Sequence, residues 1–475
     1  MAPDRMIRMP SAPCVAHDCN SHQSRSVMHC QQPVMNSWLS THPEGHYGRL
    51  RSNPLDADQI SPSNGRSHQP GVGSVQMGVD AAAGSSDVVD DIRSEVSETM
   101  AAAQQVLSHR FGAAVRLAAP EDLGGSGEST VIRVRVAATP FSLPRTLVVK
   151  RYGPPDPGAV TDAFVQEAVS YQLFTALASE ERMCPEMFAH DGRERLVVLE
   201  DLGRSPTLAD KLLGNDPRSA ERALLSWARS LGRLHASTAG REQDFEALSR
   251  RLGRPRSVDP LVGQGRKALA ELPDLLSVGL GVDTPAAVHE RASWAARLVG
   301  SPRHRAFSPS DACPDNNVIT SKGVRFLDFE GGCWRDVLLD AGYLRVPFPS
   351  CWCSYALPAG MIEAMVAAWR SEAATVWPDL DDDAVLAPGL LDAQVFWVWL
   401  STWWFLPTPN QEDLPIEGEL RAPRRSVALR SRWIRLAADA ERGGEHQLAD
   451  HALAVVEALE QRFGASDLPR YPAFR

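Results

Sequence analysis

Three polar residues bracket one short apolar stretch. Asp311 and Asn316 precede it and Asp328 follows it, within FSPSDACPDNNVITSKGVRFLDFE at Phe307 to Glu330. Asn317-Val318-Ile319 and Val324 to Leu327 flank the turn Ser321-Lys322-Gly323, a pattern that predicts a short hairpin. A hairpin brings its two outer ends together, so an acid, a carboxamide and a second acid would converge on one point. Hard oxygen donors gathered in this way suit Mg²⁺, which takes one or two carboxylates together with substrate phosphates. The plainer alternative is a solvated turn with ordinary Asp and Asn side chains.

A second set of chemical groups lies upstream. Gly124-Gly125-Ser126-Gly127 separates the strand-like Val115 to Leu117 from the alternating run Thr130 to Val136. Strand, glycine loop, strand predicts a hairpin whose tip can approach a ligand closely, with backbone N–H groups available to phosphates. Taken alone, such a loop also reads as a plain turn. Thr146 to Lys150 is a third strand that ends on its lysine. A helix over Ala163 to Ser179 follows and carries Glu167 on its second turn, where it can pair with Lys150; in isolation it reads as a solvent-facing glutamate. Arg195 to Leu199 is another strand, and the linker Glu200-Asp201-Leu202-Gly203 behind it offers backbone groups to a purine edge.

These groups need elements to position them. Ile92, Val96, Met100 and Val106 share one face of a helix ending at Phe111. Beyond Thr207 the character is helical: Arg218 to Ala239, amphipathic pieces over 241–300, then Met361 to Val376, Asp392 to Leu406, Val427 to Glu441 and His446 to Phe463. His235, on the repeating apolar face of the first of these, reads as a core or supporting histidine. Asp336 and Asp340 are i,i+4 neighbours and would face one side if their stretch is helical. VFWVWLSTWWFL at Val395 to Leu406 is too short for a membrane span, which needs ~20 residues, and reads as a buried helix.

Composition narrows the function. The chain has 475 residues and a formal net charge of −10, which argues against a nucleic-acid footprint. Lysine occurs only at Lys150, Lys211, Lys267 and Lys322. The eight cysteines are too dispersed for a small secreted scaffold, so reduced thiols in a cytoplasm are expected. Cys14, Cys19 and Cys30 lie near His17, His22 and His29 but match no standard zinc spacing. The Cys351-Trp352-Cys353 triplet is too tight for a redox CxxC pair, and Trp352 suggests packing. Residues 1–88 are rich in Ser, Pro, Gly, His and Asn without periodicity, and disorder is expected there. No signal-peptide h-region is evident in them.

Taken in order, the glycine hairpin, strand-end Lys150, helical Glu167, VLEDLG at Val198 to Gly203, LGRLHA at Leu231 to Ala236, Asp311 with Asn316, and Asp328-Phe329-Glu330 resemble the aminoglycoside phosphotransferase and choline-kinase-like family of the protein-kinase-like fold. The resemblance spans roughly residues 90–440. It implies an α+β, two-lobed fold: a small antiparallel sheet lobe with one helix over residues 89–203 and a larger, mostly helical lobe over 204–475. It also implies transfer of the γ-phosphate of ATP, or of GTP, to a small-molecule hydroxyl with Mg²⁺. Lys150 would contact the nucleotide phosphates, held by Glu167. Gly124, Gly125, Ser126 and Gly127 would form the phosphate-side loop, and Glu200 to Leu202 would meet the adenine. Asp311 would accept the hydroxyl proton, and Asn316 and Asp328 would hold the metal. The partners implied are an aminoglycoside-, amino alcohol- or sugar-like substrate, without nucleic acid or membrane, for a monomer or homodimer.

The loop departs from the family pattern H-G-D-x-x-x-x-N at two places. Pro309 stands where the histidine would orient the aspartate, and Ser310 where glycine would stand. A kinase-fold binding module without transfer activity is therefore the second expectation. The acidic stretches Asp379 to Asp383 and Gln411 to Glu419 would attract a cationic substrate or form solvated loops.

Overall fold

The computed structural model describes residues 84–125, 129–155, 161–253, 258–351, 354–415 and 422–475. Ser126 and Gly127 lie outside the described residues, as do the early cysteine and histidine group, residues 1–83 of the stretch 1–88 expected to be disordered, and Trp352; residues 84–88 of that stretch are helical instead.

A five-stranded antiparallel sheet comes first. Its strands are β1 (Arg116–Gly124), β2 (Thr130–Ala138), β3 (Thr146–Arg151), β4 (Met187–Asp191) and β5 (Leu196–Glu200). Their spatial order is β1-β2-β3-β5-β4. The period of two does the sorting: Ile132, Val134, Leu147 and Val149 are fully buried, while Arg133 and Arg135 point to the other face. Helix α1 (Gly84–Phe111) lays Ala103, Val106 and Leu107 on this apolar layer, with Val96 and Met100 at its margin. Burying a valine or leucine in this way contributes roughly 1.5–3 kcal/mol. Strand β4 was not evident in the sequence, because MFAHD carries mixed polarity; its pairing with β5 supplies the regularity.

Helix α2 (Ala163–Thr175) follows β3 and is the helix that the resemblance implies for the sheet lobe; α1 is a second one. Asp162 caps it, accepting from Val165 N, and also binds Arg195 through two contacts of 3.0 Å. Ten of its side chains are buried, Glu167 among them. The solvent-facing alternative for Glu167 is thereby excluded.

The rest is mostly helical. Helix α3 (Leu208–Leu212) opens on a capping box between Thr207 and Asp210. Helix α4 (Pro217–Thr238) starts with Asp216 as cap and Pro217 in the first turn. Helices α5 (Glu242–Arg251), α6 (Leu261–Leu280) and α7 (Ala286–Ala295) fill the 241–300 region. Strand β6 (Arg305–Ser308) leads into the Asp311 loop and pairs with β9 (Cys333–Asp336). Between them lies the expected hairpin, β7 (Asn317–Thr320) with β8 (Gly323–Phe326), in the register Asn317↔Phe326. Helices α8 (Val337–Arg345), α9 (Met361–Ala373), α10 (Asp383–Phe405), α11 (Arg425–Arg442) and α12 (His446–Phe463) complete the chain. Helix α10 is long and apolar enough to cross a membrane, but Val395 to Leu400 are buried against protein, as expected of a core helix.

Two sequence expectations are corrected. Asp336 and Asp340 do not face one side of a helix. Asp336 ends β9 and caps α8, accepting from Leu338 N and Ser301 Oγ, whereas Asp340 turns inward to His235. The second concerns the thiols: Cys313 and Cys351 form a disulfide, bringing together cysteines 38 residues apart. Cys184 and Cys333 are free and buried.

Candidate active site

Lys150 sits at the end of β3, in register with Val131 of β2, which itself pairs with Gly124 of β1. The hairpin tip and the lysine therefore share one row across the sheet. Gly124 has φ +81°, open to glycine without strain. At Gly125 a Cβ would lie 1.8 Å from the carbonyl oxygen of Ser129, so the two limbs of the tip close only over glycine.

The Lys150 ammonium is nearly buried and bridges two acids. Nζ donates to Glu167 Oε2 at 2.7 Å and to Asp328 Oδ1 at 2.5 Å. It also lies 5.0 Å above the Tyr152 ring. Tyr152 donates its hydroxyl to the same Glu167 oxygen. Burial pulls the lysine pKa down, but Asp328, Glu167 and Glu330 outweigh it and hold the amine well above its ordinary value. For Glu167, burial pushes the carboxyl up and Lys150 pulls it back. Beyond β5, Asp201 receives Arg133 Nε at 2.9 Å and Nη2 at 3.2 Å, which pins the linker to the sheet. Glu200 accepts from Glu186 N, and the Leu202 carbonyl accepts from Ser205 Oγ.

The hairpin supplies the other half. Leu327 N donates to the Asn316 carbonyl at 2.8 Å, so the β7–β8 ladder runs on and brings Asn316 and Asp328 out side by side. Asp328 adopts φ +63°. Phe329 behind it is buried among Tyr171, Phe174 and Phe307, with ring centroids 5.1, 5.5 and 5.3 Å away. That aromatic cluster ties the Asp328 segment to α2 and β6. Asn316 Nδ2 is buried without a hydrogen-bond partner among the described residues.

Asp311 lies within electrostatic reach of Asp328. Its Oδ1 accepts from Cys313 N at 3.2 Å, from Ser350 Oγ at 3.3 Å and from Tyr343 Oη at 3.4 Å. Burial, then the charges of Asp315 and Asp328, push its carboxyl up to about 7. Burial and Asp328 likewise push Glu330 up to about 8. One lysine thus faces an excess of carboxylates. An amide oxygen and a carboxylate set in such an excess are the donors a hard divalent cation takes, so the residues fit Mg²⁺.

The structure brings Lys150, Glu167, Asp328, Asn316 and Asp311 into one group, with Gly124 in the row of the lysine and Gly125 next to it. Tyr152, Glu330, Tyr343 and Ser350 belong to it as well. Tyr152 and Glu330 stand two residues beyond Lys150 and Asp328, in the segments that follow β3 and β8, so closeness in sequence is their signal. Ser350 gave no local signal, being 39 residues from the acid it touches. His235 is buried, as expected: Trp369 Nε1 donates to its Nδ1 at 3.0 Å, and its Nε2 faces Asp340 at 3.0 Å.

No protein-family model matches the chain, and no curated protein matches it in sequence. Solved structures similar to it are choline kinase and aminoglycoside phosphotransferase structures and their like. A choline/ethanolamine kinase family protein from Mesorhizobium loti is 18% identical over 72% of this chain and 93% of its own, with a TM-score of 0.41. An aminoglycoside-3'-phosphotransferase of type VIII is 21% identical over 60% and 93%, with a TM-score of 0.34. Amicoumacin kinase in complex with AMP-PNP and Ca²⁺ is 13% identical over 71% and 88%, with a TM-score of 0.39.

Proposed function

We propose that the chain is a small-molecule kinase, moving the γ-phosphate of a nucleoside triphosphate to an aminoglycoside-, amino alcohol- or sugar-like hydroxyl. One observation carries the proposal: a buried lysine held between Glu167 and Asp328 at 2.7 and 2.5 Å, on the row of a glycine tip. Phosphoryl transfer asks little covalent chemistry of a protein and much positioning, and these groups are built to position. Glu167 fixes Lys150 so that its ammonium can take the nucleotide phosphates. Gly124 and Gly125, with Ser126 and Gly127, cover them, and the Glu200 to Leu202 backbone meets the base. Asp311 accepts the hydroxyl proton at its carboxylate, while Ser350, Tyr343 and Cys313 N hold Oδ1 in place. Asn316 and Asp328 would hold Mg²⁺, which supplies neutralisation of phosphate charge when bound. The proposal includes no nucleic-acid or membrane partner.

The test is turnover of Mg-ATP or Mg-GTP against a panel of aminoglycosides, amino alcohols and sugars. Asp311→Asn should abolish transfer and keep the nucleotide thermal shift. A ligand at about 100 times its Kd adds ~2.7 kcal/mol of stability, so absence of a shift with every nucleotide refutes the proposal. Pro309 and Ser310 favour one second reading, a kinase-fold binding module; a nucleotide shift in a wild-type protein that turns over no acceptor would establish it.

A further inference from the structure

Beneath the loop that carries Asp311 lies a buried cluster that the proposed chemistry does not use. Arg335, in β9, is fully buried. Its Nη2 donates to Asp259 Oδ1 at 3.0 Å, to Ser310 Oγ at 3.1 Å and to Cys333 Sγ at 3.0 Å. Its Nη1 lies 3.7 Å from Asp340 Oδ1. Asp340 accepts in turn from Ser308 Oγ at 2.9 Å, and Ser308 Oγ accepts from Ser310 N at 3.0 Å. Ser308 and Ser310, which bracket Pro309, are thus tied to one cation and its two carboxylates.

Ser310 is the residue that needs holding. Its φ is +67°, a left-handed conformation that costs a residue with a Cβ roughly 1–2 kcal/mol. Such conformations persist where the surroundings over-determine them. Here the surroundings are specific. A Cβ on Gly331 would lie 3.0 Å from both Cβ and Oγ of Ser310, so the serine fills the space this glycine leaves. Gly331 is three residues after Asp328. The serine is therefore wedged between the segment of the second acid and the guanidinium of Arg335. Asp311 follows it directly, and its N–H bonds back to the Pro309 carbonyl at 2.8 Å.

Taking the phosphotransfer proposal as its ground, we infer that Arg335 is a positioning residue. Through Ser310 it holds the left-handed turn that aims Asp311, a task that falls to a histidine two places before the aspartate in the loops this one resembles. The buried charge comes from β9 rather than from the loop itself, which leaves Pro309 free to stand in that place.

Arg335→Met alone would strand the Asp259 carboxylate in the core and unsettle the fold. Asp259→Asn keeps an oxygen for Leu261 N, which Asp259 now caps at 2.9 Å. The decisive variant is therefore R335M/D259N, compared with wild type and with S310G added to it. In R335M/D259N the melting temperature, the Mg-ATP thermal shift and the KM for ATP should stay near wild type. The kcat for ADP release, with the acceptor found in the panel or with water, should fall roughly ten- to hundredfold, the cost of a slightly misplaced group. Adding S310G should recover part of that loss, because glycine takes φ +67° without a tether. A merely structural arginine would give no such rescue. If R335M/D259N keeps kcat within twofold of wild type, Arg335 does not position the loop. If wild type itself neither shifts with Mg-ATP nor turns it over, the phosphotransfer proposal fails, and the inference falls with it.

Discussion

Lys150→Met separates the structural from the chemical part of the site. The Lys150 side chain is 11% exposed, Glu167 1% and Asp328 19%. Methionine keeps the length and the packing of the stem and removes only the charge. Asp328 has water within reach and loses little. Glu167 does not: among the described residues it keeps the Tyr152 hydroxyl as its other donor. Removing one partner of a buried pair costs about 3–5 kcal/mol, and the exposure of Asp328 places this case at the lower end. A loss of ~3 kcal/mol corresponds to roughly 6–12 °C in melting temperature for a unit of about 150–250 residues.

The pH dependence gives the sign. Burial already pushes Glu167 up, and without Lys150 nothing comparable pulls it back. A carboxyl raised in the folded state holds a proton that the unfolded chain releases above about 4.3. Its stabilisation is complete below that value and lost as pH rises through the folded pKa, at up to ~1.4 kcal/mol per pH unit. Lys150→Met should therefore melt well below wild type at mildly alkaline pH and approach it at mildly acidic pH. Adding Glu167→Gln removes the stranded charge and should recover most of the stability, with a coupling of about 0.5–3 kcal/mol. Neither variant should transfer phosphate. Thermal unfolding at two pH values, with ADP release alongside, measures all of this. A Lys150→Met protein that melts like wild type at both pH values would show that the Lys150–Glu167 contact is not formed, and one that still turns over would remove the lysine from the chemistry.

Three further outcomes follow from the same geometry. With Asp311 pushed up to about 7 by burial and then by Asp315 and Asp328, kcat/KM should rise with pH through neutrality. Asp315→Asn should move that limb to lower pH, and a limb that stays put would contradict the cause assigned here. At Gly125, alanine places a Cβ 1.8 Å from Ser129 O, so Gly125→Ala should raise the KM for ATP severalfold and lower the melting temperature slightly, since the tip must open; an unchanged KM would detach the tip from the nucleotide. The Cys313–Cys351 bond closes a loop of 38 residues, for which chain entropy gives ~4 kcal/mol at most. Reductant, or Cys313→Ser with Cys351→Ser, should lower the melting temperature, whereas Cys184→Ser should leave its response to reductant intact.

Much of this was legible in residue order. The alternation of Thr130 to Val136 predicts β2, the apolar run into Lys150 predicts β3, and the Ser321-Lys322-Gly323 turn predicts the β7–β8 hairpin; all three form within a residue or two. These are local signals, set by the period of a strand and the needs of a turn. Ser350 and Tyr343 are different. They reach Asp311 because α8 turns the chain back and Cys351 is bonded to Cys313, and nothing within a few residues of Asp311 announces that. The Asp336 spacing misleads for a related reason. Its spacing from Asp340 fits a helix face, but β9 claims it through pairing with Arg305, a partner more than thirty residues away.

The two acids of the site share a feature that spacing rules hide. Asp328 itself and Ser310, the residue before Asp311, both have positive φ, +63° and +67°. Sequence rules reserve that region for glycine, and here side chains occupy it at both turns. Each is held by a cation delivered from a strand outside its own loop: Lys150 of β3 binds Asp328, and Arg335 of β9 binds Ser310. The two holds differ in what can reach them. Lys150 and Asp328 retain 11% and 19% side-chain exposure, so in the proposed reaction phosphates can draw the lysine off and leave the aspartate to a cation. Arg335 has no exposure and is enclosed by Asp259, Cys333 and Asp340; nothing from solvent competes for it. The turn before Asp311 is therefore fixed while the turn at Asp328 is exchangeable. That division suits the proposed reaction, whose base must stay aimed while its phosphate-handling groups change partners in every cycle.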